Sequence, residues 1–505
     1  MTGTALRTTH EAVRTGHHIG GRRLEGSGGE TFTSRNPARW SEVIAELPRG
    51  NAADVAVAVA AAREAFLDWR RTPWPGRGEI ILRAGLLMEQ RKEELAQLMT
   101  REMGKVLTEA RGDVQEGIDM AKFIAAEGRR PFGQTVPSEL RQKWAMTMRQ
   151  PLGVVGIITP WNFPLAIPTW KIFPALLAGN TVVFKPAEDT PLLALRFVEI
   201  LEEAGLPAGV VNIVFGYGPE AGEAVLRHPG VSAISFTGSV PTGRHISEVC
   251  GGMLKRCSLE LGGKNAIVVM DDADIELAVD GALWGAFGTS GQRCTASSRL
   301  VVQRGALAAF TEALLARART LRVGDGLDPD VQVGPVINQK QLERIHGYTG
   351  VGVAEGAELL LGGEVAREGS LADGWFYSPT IFGSVRAGSR IEQEEIFGPT
   401  TAIIPVDSLD EALSVANGTI YGLSLSLYTN DIRTGFRAIE ELESGIVYVN
   451  APTIGAEIQL PFGGTKSTGN GHREAGTVAL DQFSEWKSIY IDYSGRLQRA
   501  QIDTE

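Results

Sequence analysis

The stretch GVVGIITPWNFPLAIPTWKIFPALLAGNTVVFK, residues 153–185, determines the fold class. It begins with a β-rich apolar run over residues 153–159, continues as a helical segment to about Leu177, and returns to a β-rich run over residues 181–185. A strand, a helix and a second strand in this order are typical of a parallel sheet, because parallel neighbours need a long crossover connection. The stretch therefore predicts an α/β fold.

Toward the C-terminus the same alternation of apolar runs and helical segments continues. The predicted elements are a helix over 192–204, a run over 210–215, a helix to about 227, a run over 231–237, a strand over 266–269 and a helix over 275–287, with further pairs to about 450. Such a series predicts two doubly wound domains, each a mostly parallel sheet with helices on both faces. Ligands of these sheets bind at the carboxyl ends of the strands.

Toward the N-terminus the pattern is a polar leader followed by helices. Asn51 is a predicted N-cap of a long helical region. Residues 143–149 then alternate, with Trp144, Met146 and Met148 on one face, which predicts a half-buried strand. Residues 487–493 alternate again near the other end of the chain. These two remote segments could pair with each other or with another subunit.

The composition is that of a globular, acidic chain. Of 505 residues, 43% are hydrophobic and 22% are charged, and the formal net charge is −11. Nucleic acids and anionic membranes bind basic surfaces, so we expect neither as a partner. The three cysteines are too few for a disulfide framework and form no metal-binding cluster, so we expect no metal. Residues 1–30 lack the apolar core of a signal peptide, and we expect a cytoplasmic protein.

One cysteine lies in a glycine-bracketed turn after a predicted helix. Residues 288–295 read Gly-Thr-Ser-Gly-Gln-Arg-Cys-Thr, with Cys294 as the cysteine. A nucleophile needs such an open backbone, and the neighbouring Arg293 would favour the thiolate if its side chain pointed inward. A free cysteine is otherwise more often buried and structural, which is the interpretation we keep for Cys250 and Cys257.

Two other segments present polar side chains at the ends of predicted strands. Glu260 ends an apolar run and precedes Gly262 and Gly263, and Asn162 follows a strand in the turn Thr-Pro-Trp-Asn-Phe-Pro. Taken alone, a glutamate is more often a solvated surface acid, and an asparagine is common in turns for conformational reasons. Neither residue by itself indicates catalysis.

Together with four further motifs, these segments resemble the NAD(P)-dependent aldehyde dehydrogenase superfamily over nearly the whole chain. The motifs, in the family's order, are Lys185-Pro186-Ala187-Glu188, Phe236-Thr237-Gly238-Ser239, Glu395-Ile396-Phe397-Gly398-Pro399 and Pro461-Phe462-Gly463-Gly464. The resemblance implies that Cys294 is the nucleophile, Glu260 the general base and Asn162 the oxyanion donor. It also implies a Rossmann-like cofactor domain, a catalytic domain and a small β oligomerisation domain.

The chemistry of aldehyde oxidation is compatible with these roles. Thiolate attack places negative charge on the carbonyl oxygen, which the amide of Asn162 and the backbone N–H of Cys294 can stabilise. After hydride transfer, water must cleave the thioester, and a carboxylate in a partly desolvated crevice has the raised pKa that suits Glu260 to take that proton. Family members that transfer the acyl group to coenzyme A commonly lack this acid, so we expect a free carboxylic acid as the product.

The resemblance also assigns a dinucleotide site. Its residues are Trp161, Gly218, Gly238 and Ser239 along the dinucleotide, Lys185 and Glu188 at the adenine-side ribose, and Glu395 and Phe397 at the nicotinamide end. The turn that begins at Gly238 opens a predicted helix, whose backbone N–H groups can bind a pyrophosphate. A carboxylate at Glu188 would repel the 2′-phosphate of NADP, so we expect NAD as the cofactor.

The substrate pocket follows from the family's pattern. Its predicted residues are Phe163, Trp170, Arg293, Thr295 and the loop Thr453–Leu460. The sequence around Phe163 and Cys294 looks most like members that oxidise α-ketoglutaric semialdehyde (2,5-dioxopentanoate), and Arg293 or Arg299 would have to bind its carboxylate. Two alternatives are a broad-range aliphatic or aromatic aldehyde dehydrogenase and a non-catalytic dinucleotide-binding structural protein. The presence of the thiol, the acid and the amide favours an enzyme over the structural protein.

The resemblance divides the chain into three units. It places the cofactor domain in residues 1–130 and 152–261, the catalytic domain in residues 262–465, and the oligomerisation strands in residues 131–151 and 478–498. It further implies a homodimer or a homotetramer.

Two positions depart from the family's pattern. The segment Gly469–Glu474 contains one extra residue relative to that pattern, so no role is carried over to Glu474. Trp170 stands where succinic semialdehyde members often have an arginine, which disfavours a binding mode that depends on that arginine.

Overall fold

The computed structural model describes residues 12–503, and these begin with a β-rich segment. Its strands are β1 Val13–Arg14, β2 His17–Ile19, β3 Arg22–Leu24, β4 Thr31–Asn36 and β5 Arg39–Pro48. The interpretation of this region as a polar leader is therefore wrong beyond residue 12, and residues 1–11 lie outside the described part. The sequence does not reveal these strands, because most of them are too short to show an alternating pattern.

Four helices and two further strands follow. They are α1 Ala52–Trp69, α2 Trp74–Gln90, α3 Lys92–Met103, α4 Leu107–Glu127, β6 Thr135–Val136 and β7 Lys143–Pro151. Helix α1 begins where the sequence predicts, because Asn51 Oδ1 accepts a hydrogen bond from the N–H of Ala53 (2.8 Å). The carboxylate of Asp54 in turn accepts from the N–H of Asn51 (3.0 Å). This reciprocal pair satisfies donors that have no partner inside the helix.

The alternation from residue 153 forms the first large sheet. Its elements are β8 Val154–Ile158, α5 Ala166–Ala178, β9 Thr181–Lys185, α6 Pro191–Glu203, β10 Val211–Ile213, α7 Glu223–Arg227, β11 Ala233–Thr237, α8 Val240–Gly252 and β12 Arg256–Glu260. The strand order is β12-β11-β8-β9-β10-β2-β3. Strands β8 to β12 are parallel to their neighbours, whereas β2 and β3 add an antiparallel edge.

The second large sheet is built from the following stretch of chain. Its elements are β13 Asn265–Val269, α9 Ile275–Phe287, β14 Ser297–Gln303, α10 Arg304–Ala318, α11 Gln339–Ala354, β15 Glu358–Leu361, a small pair β16 Val365–Ala366 and β17 Phe376–Tyr377, β18 Thr380–Gly383, α12 Arg390–Gln393, β19 Thr400–Val406, α13 Leu409–Asn417, β20 Ser424–Tyr428, α14 Ile432–Glu441 and β21 Ile446–Val449. The strand order is β15-β18-β19-β14-β13-β20-β21. Strand β15 is antiparallel to β18, and the other neighbours are parallel. The predicted fold, two parallel-sheet units with helices, is confirmed.

Helix α5 shows why the first sheet is predictable from sequence. All of its residues are buried, since it packs against α2, α4 and strands β8 and β9. A helix that is apolar on every side belongs inside a domain, which agrees with its low charge. Within residues 12–503, no helix has both the length and the apolar character needed to cross a membrane.

A separate three-stranded sheet, of order β22-β7-β6, combines the two remote alternating segments. The chain ends in α15 Ala479–Gln482 and β22 Ser484–Asp492, and β22 pairs antiparallel with β7, which also pairs with β6. Ile491 lies opposite Trp144 in this register. The predicted strand over residues 143–149 is confirmed as part of β7, but Ala145 is its buried residue, whereas Trp144 and Met148 are 54% and 48% exposed and no element within the described residues covers them.

Candidate active site

Three neighbouring strands of the first sheet end at the same edge and carry polar residues there. Asn162 follows β8, Thr237 ends β11, and Glu260 ends β12 directly opposite Thr237. The side chains of Asn162 and Glu260 are buried. Because the strands are parallel, their carboxyl ends meet, as the general rule for ligand sites in such sheets requires.

Cys294 approaches this edge from the second sheet. It follows a 3₁₀ turn at Gly288–Gly291 and precedes β14. The amide of Asn265 donates to the carbonyl oxygens of Cys294 (2.7 Å) and Ala296 (3.0 Å), which ties the segment to the start of β13. The thiol therefore lies at the amino end of one sheet and faces the carboxyl end of the other.

Two cavities meet at Cys294. Cavity A, of about 320 Å³, is lined by Thr108, Glu109, Gly112, Asp113, Glu116, Phe163, Ile167, Trp170, Thr237, Glu260, Leu261, Trp284, Arg293, Cys294, Thr295, Gly455, Ala456, Phe462 and Glu474. Cavity B is lined by Pro160, Trp161, Asn162, Thr237, Gly238, Ser239, Leu261, Gly262, Cys294, Gln341, Arg344, Glu395 and Phe397. Cys294, Thr237 and Leu261 border both cavities, so a group in one can reach a group in the other across the thiol.

The predicted substrate residues lie in one cavity, and most of the predicted cofactor residues lie in the other. Of the predicted substrate residues, Phe163, Trp170, Arg293 and Thr295 line cavity A, and of the predicted loop Thr453–Leu460 only Gly455 and Ala456 do. Five of the predicted cofactor residues line cavity B, namely Trp161, Gly238, Ser239, Glu395 and Phe397. The other three lie outside it: Lys185 donates to Glu188 (2.9 Å) in the loop after β9, and Gly218 begins a short π-helix after β10.

Cavity B has features that fit a dinucleotide. The hydroxyl of Thr237 and the amide oxygen of Gln341 are buried there and have no partner within residues 12–503. Helix α8 begins at Val240 with no side chain capping its N-terminus, which leaves backbone N–H groups available for a phosphate. The rings of Trp161 and Phe397 meet edge to face at 5.5 Å and form an aromatic wall.

Burial governs the protonation of the two predicted reactive groups. Burial, together with the carboxyl groups of Glu395 and Glu260, raises the pKa of the Cys294 thiol to about 12. Burial and the neighbouring Glu474 raise the pKa of Glu260 well above its usual range. The expected help from Arg293 in forming the thiolate is absent, because this guanidinium is bonded to Glu109 (3.2 Å) instead.

Near Glu260 lie two further charged residues, Glu474 and Lys171, for which the sequence predicts no role. Both oxygens of the Glu260 carboxyl are buried without a partner within residues 12–503. Glu474, which also lines cavity A, forms a buried ion pair with Lys171 of α5. Lys171 additionally donates to the hydroxyl of Ser235 (3.1 Å). Glu474 therefore reaches the site despite the extra residue in its segment.

Glu109, Asp113, Arg293 and Glu474 of cavity A are in ion pairs, whereas Glu116 and Glu260 form none within residues 12–503. Lys105 donates to Asp113 (2.9 Å) and lies 3.9 Å from the ring centre of Phe163. Burial raises the pKa of Glu116 to about 8, so this carboxyl is protonated near neutral pH. Arg293 lies 5.4 Å from the Phe163 ring, and its Nη1 makes no hydrogen bond within the described chain.

Arg299, the second predicted carboxylate ligand, lies elsewhere. It is fully buried on β14, where it donates to Glu392 (2.8 Å) and to the carbonyl oxygens of Val415 and Ala416 (both 2.8 Å). It does not border cavity A. The expectation that Arg299 binds substrate is therefore wrong, since its donors already serve the packing of β14.

Comparison with known proteins identifies the family of this chain. Residues 24–489 match the profile described as "Aldehyde dehydrogenase family". The chain belongs to the aldehyde dehydrogenase family. It is 42% identical over 473 residues to the α-ketoglutaric semialdehyde dehydrogenase of Bacillus subtilis (strain 168), covering 94% of this chain and 97% of that protein. It is 41% identical to the 2,5-dioxopentanoate dehydrogenase of Saccharolobus solfataricus, covering 92% and 97%.

Among solved structures, this aldehyde dehydrogenase is similar to betaine aldehyde dehydrogenase from Staphylococcus aureus in complex with NAD⁺. The TM-score is 0.93 at 35% identity, and the match covers 96% of this chain and 95% of that one. The resemblance inferred from the motifs is thus confirmed, and with it the prediction of an enzyme of the aldehyde dehydrogenase class.

Several residues of the site were missed in the sequence. Glu109, Asp113 and Glu116 occur in a helix rich in charged residues, where acidic side chains are expected on the solvated face. Their shared spacing of three to four residues would have placed them on one side of α4. Nothing in the local sequence of Lys171 indicates its partner, because Glu474 lies 303 residues away.

The pKa of Cys294 leads to a test with a thiol reagent. Replacing Glu395 by Gln removes a negative charge that raises this pKa, so more thiolate forms at a given pH. We expect iodoacetamide to alkylate Cys294 faster in E395Q than in the wild type at pH 9, and the wild-type rate to keep rising above pH 10.

The rate is measured by mass spectrometry of the peptide that contains Cys294, so that Cys250 and Cys257 do not contribute. The neighbouring variant E394Q is the matched control, because Glu394 is bonded to Arg390 (2.9 Å) and is absent from the lining of both cavities. Equal rates in E395Q and the wild type would contradict the assigned electrostatics.

Proposed function

We propose that this aldehyde dehydrogenase oxidises α-ketoglutaric semialdehyde to the dicarboxylic acid with NAD. The observation that carries the proposal is the guanidinium of Arg293 in cavity A, with its Nη1 free to bind the carboxylate at the far end of the substrate. The pairing of Asp113 with Lys105, and the raised pKa of Glu116, keep uncompensated negative charge out of the cavity. The two relatives that act on this semialdehyde support the choice.

In the first step the thiolate of Cys294 adds to the aldehyde carbon, and the carbonyl oxygen becomes negative. The Nδ2 of Asn162 donates to the carbonyl oxygen of Gln292 (3.1 Å) and has a second hydrogen for the substrate. That amide and the backbone N–H of Cys294 are the proposed oxyanion donors. Removing one such donor typically lowers the rate by about 100-fold or more.

NAD, when bound, accepts the hydride that leaves the former aldehyde carbon, and a thioester to Cys294 remains. The proposed contacts are Trp161, Gly238 and Ser239 along cavity B, Glu395 and Phe397 at the nicotinamide end, and Lys185, Glu188 and Gly218 toward the adenine side. The N–H of Gly263 donates to the carboxylate of Glu395 (3.0 Å) and fixes its orientation.

Hydrolysis of the thioester requires a base beside the thiol. Glu260 takes the proton of the attacking water, the carbon–sulfur bond breaks, and the sulfur leaves as the thiolate that can add to the next aldehyde. Because burial raises the pKa of Glu260, its carboxylate is a stronger base than an exposed glutamate. Glu474 and Lys171 lie behind it as an ion pair through which the accepted proton can leave.

We also propose the division into domains that is predicted from the sequence. Residues 1–130 and 152–261 form the cofactor domain, residues 262–465 the catalytic domain, and residues 131–151 and 478–498 the oligomerisation strands. The exposed apolar side chains of β7 and β22 support a homodimer or homotetramer, because such faces are normally covered. The cytoplasmic location remains a prediction.

The substrate proposal is tested by kcat/KM for NADH formation over a panel of neutral and ω-carboxylated aldehydes. We expect α-ketoglutaric semialdehyde to rank first in the wild type. In R293Q its kcat/KM should fall roughly 10- to 100-fold, the effect of losing a charge-assisted hydrogen bond. Oxidation of pentanal should change far less, since it has no carboxylate.

The outcomes of this panel separate the alternatives. Equal losses on both aldehydes in R293Q would exclude the proposed contact, and a wild type without preference for carboxylated aldehydes would indicate a broad-range enzyme. C294A is the control for the covalent route and should form no NADH. A wild type that binds NAD but oxidises no aldehyde would be a non-catalytic protein.

The cofactor choice is tested by the ratio of kcat/KM for NAD to that for NADP. We expect the wild type to prefer NAD and E188Q to reduce the ratio by roughly fivefold to tenfold, because like charges near a surface repel by about 1 kcal/mol or more. E203Q on α6 is the matched control and should leave the ratio unchanged. A wild type that prefers NADP would overturn the assignment of Glu188.

The oligomer is tested by analytical ultracentrifugation. The double variant W144E/I491E places charges on the exposed apolar face of β7 and β22, so we expect it to sediment as a smaller species than the wild type. L67E, at an exposed position of α1, should sediment like the wild type. A monomeric wild type would contradict the proposal.

A further inference from the structure

The turn that precedes Cys294 holds two consecutive non-glycine residues in the left-handed backbone region. Thr289 has φ 52° and ψ 31°, and Ser290 has φ 55° and ψ 36°. A β-branched residue such as threonine rarely adopts this region, because its side chain crowds the backbone. Gly291, with φ 67°, continues the same conformation. The surrounding structure must therefore hold the turn in place.

A carboxylate from another element is bonded to the strained residue. Glu109, in the first turn of α4, accepts the N–H of Thr289 with both oxygens (2.9 and 2.8 Å). Its Oε2 also accepts from the hydroxyl of Thr289 (3.1 Å). The side chain of Glu109 is 13% exposed, and hydrogen bonds to a carboxylate in such surroundings are stronger than those between neutral groups.

The same carboxylate also reaches the residue beside the nucleophile. Glu109 Oε1 accepts from Nη2 of Arg293 (3.2 Å), and Nε of Arg293 donates to Thr289 Oγ1 (3.0 Å). Ser290 is held separately, because its hydroxyl donates to the carbonyl oxygen of Gly334 (2.7 Å). Glu109 thus joins the beginning of the turn to its end.

We infer that Glu109 is a positioning residue for Cys294. Its carboxylate keeps Thr289 in the left-handed conformation, and the turn in that shape places the thiol where cavity A meets cavity B. Without the carboxylate, Thr289 relaxes toward negative φ, and the displacement passes along the turn to Cys294. The inference rests on the proposed function only in taking Cys294 as the nucleophile.

The test compares E109Q, T289G and the double variant E109Q/T289G, with propanal and saturating NAD. A neutral aldehyde is chosen because it does not depend on Arg293. In E109Q we expect kcat to fall roughly 10- to 100-fold at nearly unchanged KM, since a displacement of about 1 Å has an effect of that size. In the double variant kcat should recover at least about tenfold, because glycine adopts positive φ freely.

A second readout does not require turnover. The alkylation rate of Cys294 by iodoacetamide should fall in E109Q and recover in the double variant. If the wild type oxidises no aldehyde, the proposed function fails, and this rate still decides the role of Glu109. If E109Q does not fold, the yield of folded E109Q/T289G is measured instead. A higher yield in the double variant supports the role of Glu109, and an equally low yield overturns it.

D431N is the matched control. Asp431 likewise accepts two backbone N–H groups, those of Arg433 and Thr434, and the hydroxyl of Thr434, but it does not line either cavity. We expect its kcat and alkylation rate to equal those of the wild type. A double variant no faster than E109Q in either readout would overturn the inference. So would an E109Q that changes only KM for the semialdehyde, because Glu109 would then serve Arg293 alone.

Discussion

Lys171 and Glu474 form a buried ion pair that joins helix α5 to the segment before α15, whose Glu474 lines cavity A. A lone Glu474 carboxylate in this cavity would be strongly destabilising, and its partner makes burial possible. Burial also raises the pKa of Glu260, Glu474 and Cys294. Burial therefore favours the uncharged forms of Cys294 and Glu260, whereas Lys171 offsets this effect for Glu474.

Helix α4 contributes both to the charge of cavity A and to the shape of the turn that precedes Cys294. Three of its acidic side chains border cavity A, yet Asp113 is paired with Lys105, and burial raises the pKa of Glu116. The third, Glu109, is bonded to Arg293 and to the strained Thr289. Cations outside the helix, Lys105 and Arg293, and the burial of Glu116 thus offset the negative charge of α4 beside cavity A.

The predictions from sequence succeeded where local features carry the information. Glu260 ends β12 and Asn162 follows β8, the two parallel neighbours of β11, so their meeting at one edge follows from parallel topology. Arg299 was misassigned because a residue near the nucleophile in sequence can point to the opposite side of its strand. The alternation around Trp144 predicts the strand correctly but not which face is covered, because an alternating pattern identifies an apolar face without showing what packs on it.

From residue 153 onward the sequence by itself determined the alternation of strands and helices, the mostly parallel topology, and the reactive groups at the ends of those elements. Each depends on hydrogen-bonding and apolar periodicity over short stretches of chain. Only the tertiary structure decided which charges face one another, which groups lose water, and how Thr289 is held in its conformation. The physical reason is that burial and charge pairing depend on residues far apart, such as Lys171 and Glu474, which are separated by 303 positions.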